Sequence, residues 1–287
     1  MAKNEVSENP ESRFSAVLVA AAKLPGVRVD REAYLRKALA RHCSEEQIRR
    51  AVEETPAAAG IPLDVLDKAA NDSIKYEAAK VSTLSAAAGI PGLLFLPATV
   101  PADAAQHFGH LLRIAQKLAY LYSWPDLFSH DSDGLDDATE GILTLFFGVM
   151  FGTQQANAAV GKVAGMISEQ VAKKLPQRAL TKGVIYPMVK KVAGYLGVEM
   201  TKQSFAKSVS KAIPVVGAVV SGGLTLATFL PMARRLKKHL SSLELTKPAR
   251  WVVDAEGVGV YEPSAADRAE RHDADGTATE PGSPRSS

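Results

Sequence analysis

The sequence predicts an all-α protein: a multi-helix bundle with apolar helical hairpins interrupted by glycine and proline, followed by a disordered acidic C-terminal tail. Three observations carry that prediction. Apolar residues recur at i, i+3, i+4 spacing through most of the chain. Three uncharged runs of 21 or 22 residues, 81–102, 141–161 and 212–233, are each broken by glycine, proline or polar residues. Aromatic residues make up only 6% of the chain against 46% hydrophobic residues in all, with alanine and glycine abundant. A core of that kind brings helix backbones close together.

Residues 1–9 are polar and read as disordered, and 10–56 as an N-terminal helical layer. A first helix is expected from Glu11 to Lys23, stopped by Pro25-Gly26. Asp30 can cap a helix carrying Tyr34, Leu35, Ala38 and Leu39. Ser44 and Gln47 have the spacing of a capping box. The helix they open has Ile48, Ala51 and Val52 on its apolar stripe, with Glu45–Arg49 and Glu46–Arg50 as i,i+4 pairs.

Residues 57–250 form the main helical domain. Pro62 stands at a helix start, and Leu66, Ala69, Ala70, Ser73, Ile74 and Ala78 follow on one face. In the first uncharged run, Gly89, Pro91, Gly92, Pro97 and Pro101 argue for a kink or hairpin over a straight span. The clearest amphipathic helix comes next, with Phe108, Leu111, Leu112, Ala115, Leu118, Ala119 and Tyr122 in its stripe and Pro125 at its end. Asp137 and Glu140 are spaced as a second capping box after the acidic loop 129–136.

Thr153, Gln154, Gln155 and Asn157 make the second run polar in its latter half. Val184, Ile185, Met188, Val189, Val192 and Leu196 mark a further helix, and Thr201 can cap the one holding Phe205, Val209 and Ala212. The third run contains Pro214, Gly217, Gly222, Gly223 and Pro231. Residues 251–262 are an extended segment, read as a short hairpin around Gly257. Residues 263–287 are too polar and charged to fold alone.

Charge is distributed unevenly. The net value of +3 combines 16 Lys and Arg against three acids in residues 162–250, a balance of +13, with acidic flanks on both sides. A basic segment between acidic flanks points to an anionic partner. One cysteine, Cys43, excludes an internal disulfide and fits a reducing cytosol. The N-terminal MAKNEVSENPESRF has no apolar signal-peptide core.

Chemical signatures are sparse. Asp103, His107 and His110 share a helix face and could ligate a metal, but they lack the Glu-x-x-His or His-Glu-x-x-His pattern. The structural alternative is a carboxylate near a helix N-terminus bonding its neighbour. The stretch 131–137 looks like a calcium loop without its bidentate glutamate. Gly217-x4-Gly222-Gly223 lacks the Lys-Ser/Thr pair of a phosphate loop, and Gly-x-Ser-x-Gly and Cys-x-x-Cys are absent from the sequence. Cys43 reads as a buried or inert thiol. Catalytic residues are therefore expected to be none, and so are resident metals and cofactors. Gly148-x3-Gly152 and Gly161-x3-Gly165 permit close helix approach, in lipid or in a soluble bundle.

Three elements in order resemble the EcsC family of bacterial hydrophobic helical proteins. The first is Ala88-Gly89-Ile90-Pro91-Gly92 leading to Pro101-Ala102-Asp103, then Arg113 and Ala119-Tyr120-Leu121-Tyr122-Ser123-Trp124, with Ser123 where the family usually has glycine. The second is Leu143-Thr144-Leu145-Phe146-Phe147-Gly148. The third is Lys211-Ala212-Ile213-Pro214-Val215-Val216-Gly217-Ala218, similar to the family's Ile-Pro-x-x-Gly-Ala element. The similarity covers about residues 60–245, with Asp103, Arg113, Pro214 and Gly217 as motif residues. It implies a helical protein of undefined activity, associated in the founding case with a transporter operon, and supplies no catalytic residues.

The functional expectation is a non-enzymatic, membrane-proximal accessory or interaction protein, cytoplasmic or peripheral at the inner face of the cytoplasmic membrane. Lys207 and Lys211 precede the third apolar run, and Arg234, Arg235, Lys237 and Lys238 follow it. These six cations are the candidates for anionic lipid, each contributing about 1 kcal/mol. A membrane surface or membrane-protein partner fits the pattern. Nucleic acid does not, for want of a recognition motif and aromatic interleaving. The acidic tail could fold back and compete with lipid. Two alternatives stand beside this: an integral membrane protein spanning at 212–233, and a metal-dependent enzyme using Asp103, His107 and His110. The sequence carries no signal for oligomeric state.

Overall fold

The computed structural model describes residues 9–84, 102–128, 135–169, 174–199, 221–247, 251–253 and 259–261. It is a helical bundle. Ten α-helices run in order among the described residues: α1 Pro10–Ala22, α2 Arg31–Leu39, α3 Glu45–Glu53, α4 Leu63–Leu84, α5 Ala102–Leu121, α6 Asp137–Met150, α7 Gln154–Glu169, α8 Gln177–Thr181, α9 Tyr186–Glu199 and α10 Ser221–Ser241. The chain divides into two units, Met1–Lys247 and Pro248–Ser287. In the second, β1 Trp251–Val253 pairs antiparallel with β2 Gly259–Tyr261, Trp251 opposite Tyr261.

Local signals set the helix starts. The Asn9 and Asp30 side chains accept backbone N–H groups at the starts of α1 and α2. Ser44 and Gln47 form the expected capping box on α3, which satisfies two donors a helix start otherwise leaves bare. At α6 the cap lies one residue earlier than expected: Asp136 accepts from Ala138 N and Thr139 N. The expected Glu45–Arg49 and Glu46–Arg50 pairs are also replaced. Arg49 instead bridges Glu46 and Glu53, and Arg50 approaches Glu54 at 3.7 Å. The side chains are exposed, so solvation leaves several such pairings close in energy.

The core is one hydrophobic cluster to which α1 through α10 all contribute, so the N-terminal helices pack into the same body as the rest. The centre is α5 and α6. From Ala138 to Met150 every α6 residue except Glu140 is buried. From Leu111 to Pro125 only Arg113 retains appreciable exposure. One apolar face was expected for α5. Burial on all sides reflects its central place, since a helix enclosed by neighbours has no solvent face. An aromatic knot ties three helices together: Phe108 stacks on Phe147 at 5.1 Å, and Phe14 meets both edge-on at 6.1 and 6.0 Å. Such pairs add about 0.5–1.5 kcal/mol beyond area burial.

Small residues set helix spacing at two places. A Cβ on Gly197 of α9 would lie 1.7 Å from the Pro10 carbonyl oxygen of α1. A Cβ on Gly148 of α6 would lie 2.5 Å from Val192 and 2.6 Å from Ala156. Gly161 and Gly165 have open space around them, so that expected pair brings no helix close among the described residues.

The second uncharged run turns at Phe151–Thr153 and divides between α6 and α7. The third behaves differently where it is described. Pro231 lies inside α10, and the helix continues through it into Arg234–Lys238. Most of the first run, and residues 212–220 of the third, fall outside the described residues. No helix among the described residues is long and apolar enough to cross a membrane.

The end of α5 is built on Ser123, whose φ is +68°. Trp124 N donates to Ala119 O and Ser123 N to Tyr120 O. This is the paired terminal arrangement that favours glycine at the left-handed position. Serine holds it because its Oγ accepts the buried Ala57 N–H at 3.0 Å. That contact ties the turn after α3 to the end of α5.

Candidate functional site

Two regions concentrate the polar chemistry of the first unit. One is the seam between α4 and α5. On α4 the expected stripe Leu66, Ala69, Ala70, Ser73, Ile74 and Ala78 is buried, and Glu77 is buried with it. Lys117 Nζ donates to Glu77 Oε1 at 2.5 Å, and Arg113 Nε lies 3.3–3.4 Å from both Glu77 oxygens. Glu77 is fully enclosed, whereas the Lys117 and Arg113 side chains retain 8% and 21% exposure. Burial alone would push the Glu77 carboxyl up. The Lys117 ammonium and Arg113 guanidinium outweigh that effect and hold it below its usual value. Charges this deep persist only when paired, and here one carboxylate serves two cations.

Aromatic rings extend the seam. Lys117 Nζ lies 5.4 Å from the Tyr34 ring centroid and 5.1 Å from that of Tyr76. Lys80 and Lys37 approach the same Tyr76 ring at 4.7 and 6.0 Å. Tyr34 and Ser73 share a 2.7 Å hydrogen bond. Further along, Tyr122 donates to Asp67 at 2.6 Å, and Lys237 of α10 pairs with Asp67 at 3.3 Å and donates to Asn71 at 3.0 Å.

The two histidines of the expected metal set lie on α5. Burial, with His110 adding repulsion, lowers the His107 pKa to about 4. Burial also lowers that of His110, opposed by Glu77 and reinforced by Arg113 and Lys80. The Asp103 side chain lies outside the described residues. No group of three His, Cys, Asp or Glu side chains gathers for a metal among the described residues. Burial pushes the half-buried Cys43 thiol up, away from the reactive thiolate.

The second region is the outward side of α9 and α10. Val184, Pro187, Lys191, Tyr195 and Val198 recur at three- and four-residue spacing, and all are exposed. Val184, Tyr195 and Val198 are 71, 43 and 50% exposed. Val184 was expected on the buried stripe with Ile185, Val189, Val192 and Leu196, but it precedes the helix and faces solvent. Lys182 and Lys190 are exposed alongside, Lys190 lying 5.6 Å from the Tyr186 ring centroid.

On α10, Arg234 and Lys238 are exposed. Arg235 is exposed too, yet donates to Met150 O at 3.2 Å, at the α6 C-terminus where a cation is favoured. Its charge also reaches Tyr195, which joins α9 to α10 in one electrostatic neighbourhood. Lys237 is held by Asp67 and Asn71 within the bundle. Lys207, Lys211, Pro214 and Gly217 lie outside the described residues, as do the loop 129–134 and the acidic tail 262–287.

A cleft of about 540 Å³ opens among α1, α6, α8 and α9, with Glu11, Glu140, Ser15, Thr144, Thr181 and Lys190 among its lining residues.

Sequence reading missed Glu77 and Lys117. The only local signal was a glutamate in register with Ser73, Ile74 and Ala78 on an apolar stripe. Its partners, 36 and 40 residues away, had no local mark. The α9 surface was equally unmarked, because valine and tyrosine at helical spacing read as core.

No family model, curated protein or solved structure matches the chain.

Proposed function

We propose that this chain is a non-enzymatic, membrane-proximal accessory protein that docks on an anionic membrane surface. The observation that carries the reading is the solvent-facing stripe of Val184 and the α9 residues Pro187, Lys191, Tyr195 and Val198, with Arg235 of α10 acting on Tyr195 and Arg234 and Lys238 exposed on the same α10 helix. Apolar side chains and tyrosine can enter the headgroup region while lysine and arginine meet lipid phosphates. Five exposed cations (Lys182, Lys191, Arg234, Arg235 and Lys238) at about 1 kcal/mol each make electrostatics the dominant attraction. The resemblance to the EcsC family, in its Gly/Pro-rich element, its Phe146-Phe147-Gly148 helix and its Ile213-Pro214 element, is in keeping with a place beside a membrane.

Vesicle flotation tests this. The full chain should float with phosphatidylserine-containing vesicles at low salt, remain behind with neutral phosphatidylcholine, and be released by about 0.5 M salt, where the Debye length falls to a few ångströms. A Tyr195→Ser, Val198→Ser variant should bind more weakly with its thermal midpoint unchanged. Binding indifferent to lipid charge and salt would overturn the proposal.

A further inference from the structure

The cleft among α1, α6, α8 and α9 is walled by single helix faces. On α1, Glu11, Ser15 and Val19 follow at four-residue spacing, and on α6, Asp137, Glu140 and Thr144 follow at three and four. Tyr186 and Lys190 of α9 stand one turn apart on a further side. Ala16, Gly141 and Ala193 also line the cleft, and side chains this small leave the space between the walls unfilled. Its volume of about 540 Å³ is in the range of small-molecule sites, about 300–1,000 Å³.

The described lining combines apolar side chains with three carboxylates and one cation. Lys190 is paired with Glu11 at 3.8 Å. The carboxylates of Asp137 and Glu140 have no ion pair or hydrogen bond among the described residues. A capping box opened by Asp137 would have turned Glu140 back onto the backbone. Asp136 caps α6 instead and leaves that carboxylate to the cleft. The α6 N-terminus favours both acids without supplying a counterion. The three carboxylates do not gather as ligands of one metal ion. Negative charge spread along a partly apolar cleft matches an extended organic cation better than a compact inorganic one.

Lys190 shows how the cleft receives an alkylammonium. Its Nζ meets a carboxylate, Glu11 at 3.8 Å, and an aromatic face, the Tyr186 ring at 5.6 Å to the centroid. Both kinds of partner attract an ammonium group. A ligand amine would find carboxylates of the same kind in Asp137 and Glu140.

We propose that this cleft binds a linear aliphatic polyamine, its ammonium groups on Asp137 and Glu140 and its methylene spacers against Val19, Leu180 and Val189. The proposal is independent of membrane docking.

The experiment is isothermal titration of the full chain with spermidine at low salt. An Asp137→Asn, Glu140→Gln variant is compared with Asp64→Asn, Asp72→Asn, which removes the same charge from two exposed α4 acids outside the cleft. Ala16→Leu fills the cleft without changing its charge. Thermal midpoints establish that each variant folds, and the two charge variants, on the surface, decide the matter if Ala16→Leu does not. Saturable binding weakened at least about tenfold by Asp137→Asn, Glu140→Gln and by a folded Ala16→Leu, but not by the α4 pair, supports the site. Magnesium chloride titrated in place of spermidine should give no comparable binding. The Tyr195→Ser, Val198→Ser variant should bind spermidine as the parent does, which separates the cleft from docking through α9. No spermidine binding, equal weakening by the two charge variants, or magnesium binding as tightly as spermidine overturns the proposal.

Discussion

The α1–α9 and α4–α5 contacts bury helices by opposite means. Between α1 and α9 the backbones touch: Gly197 leaves no room for even a methyl group beside Pro10. Specificity there is steric. Between α4 and α5 the contact is organised by a buried carboxylate and two cations, with two tyrosine rings against one of them. Specificity there is electrostatic, and desolvation makes it expensive. The steric seam depends on an uncharged backbone contact, with one Lys190–Glu11 pair at 3.8 Å beside it. The ionic seam depends on the ionisation of Glu77, Lys117 and Arg113.

Three changes would break or sharpen that contrast. The largest effect is expected from Glu77→Ala, which leaves Lys117 and Arg113 facing each other without a counterion. It should cost about 3–5 kcal/mol in urea unfolding. Adding Lys117→Met should recover part of that loss. If Glu77→Ala unfolds at the parental midpoint, the seam is not electrostatically specified.

Next comes Gly197→Ala. The added methyl meets backbone that cannot rotate away, so α1 must shift. About 1–3 kcal/mol of stability should be lost, with early hydrogen exchange in α1 and protection retained in α4 and α5. Exchange rising in both seams together would show that they are not separable.

The third measurement is acid titration of stability. His107 is held neutral when folded, with a pKa of about 4 against an ordinary 6.5. On acidification the unfolded chain therefore takes up its proton first. For His107 alone, stability present above about pH 6.5 is lost as pH falls toward about 4 and then levels, by about 3 kcal/mol at most, and His110 and His239, also lowered by burial, add losses in the same direction. The depressed Glu77 adds a further loss below its usual carboxylate range. His107→Gln should flatten the decline between those two pH values, while Gly197→Ala should leave its shape intact.

Much of the bundle could be read locally. The caps at Asp30 and Ser44 and the stripe of α4 depend on neighbours within one or two turns, so the amino-acid order specifies them. The Asp136 cap was missed by one residue because Asp136 and Asp137 are adjacent in sequence, and it is the Asp136 carboxylate that meets Thr139. The α6–α7 turn was legible in kind, through Gly152 and the polar residues after it.

What amino-acid order determined was the helical class, the capped starts of α2 and α3 and the uneven charge. Tertiary structure decided the rest, because each deciding partner lies far along the chain. Glu77 needed Arg113 and Lys117, Gly197 needed Pro10, Ser123 needed Ala57, and Lys237 needed Asp67. A helical period tells which residues share a face. Whether that face meets a neighbour, an ion or water depends on which helix lies opposite, and that is fixed only when the whole bundle packs.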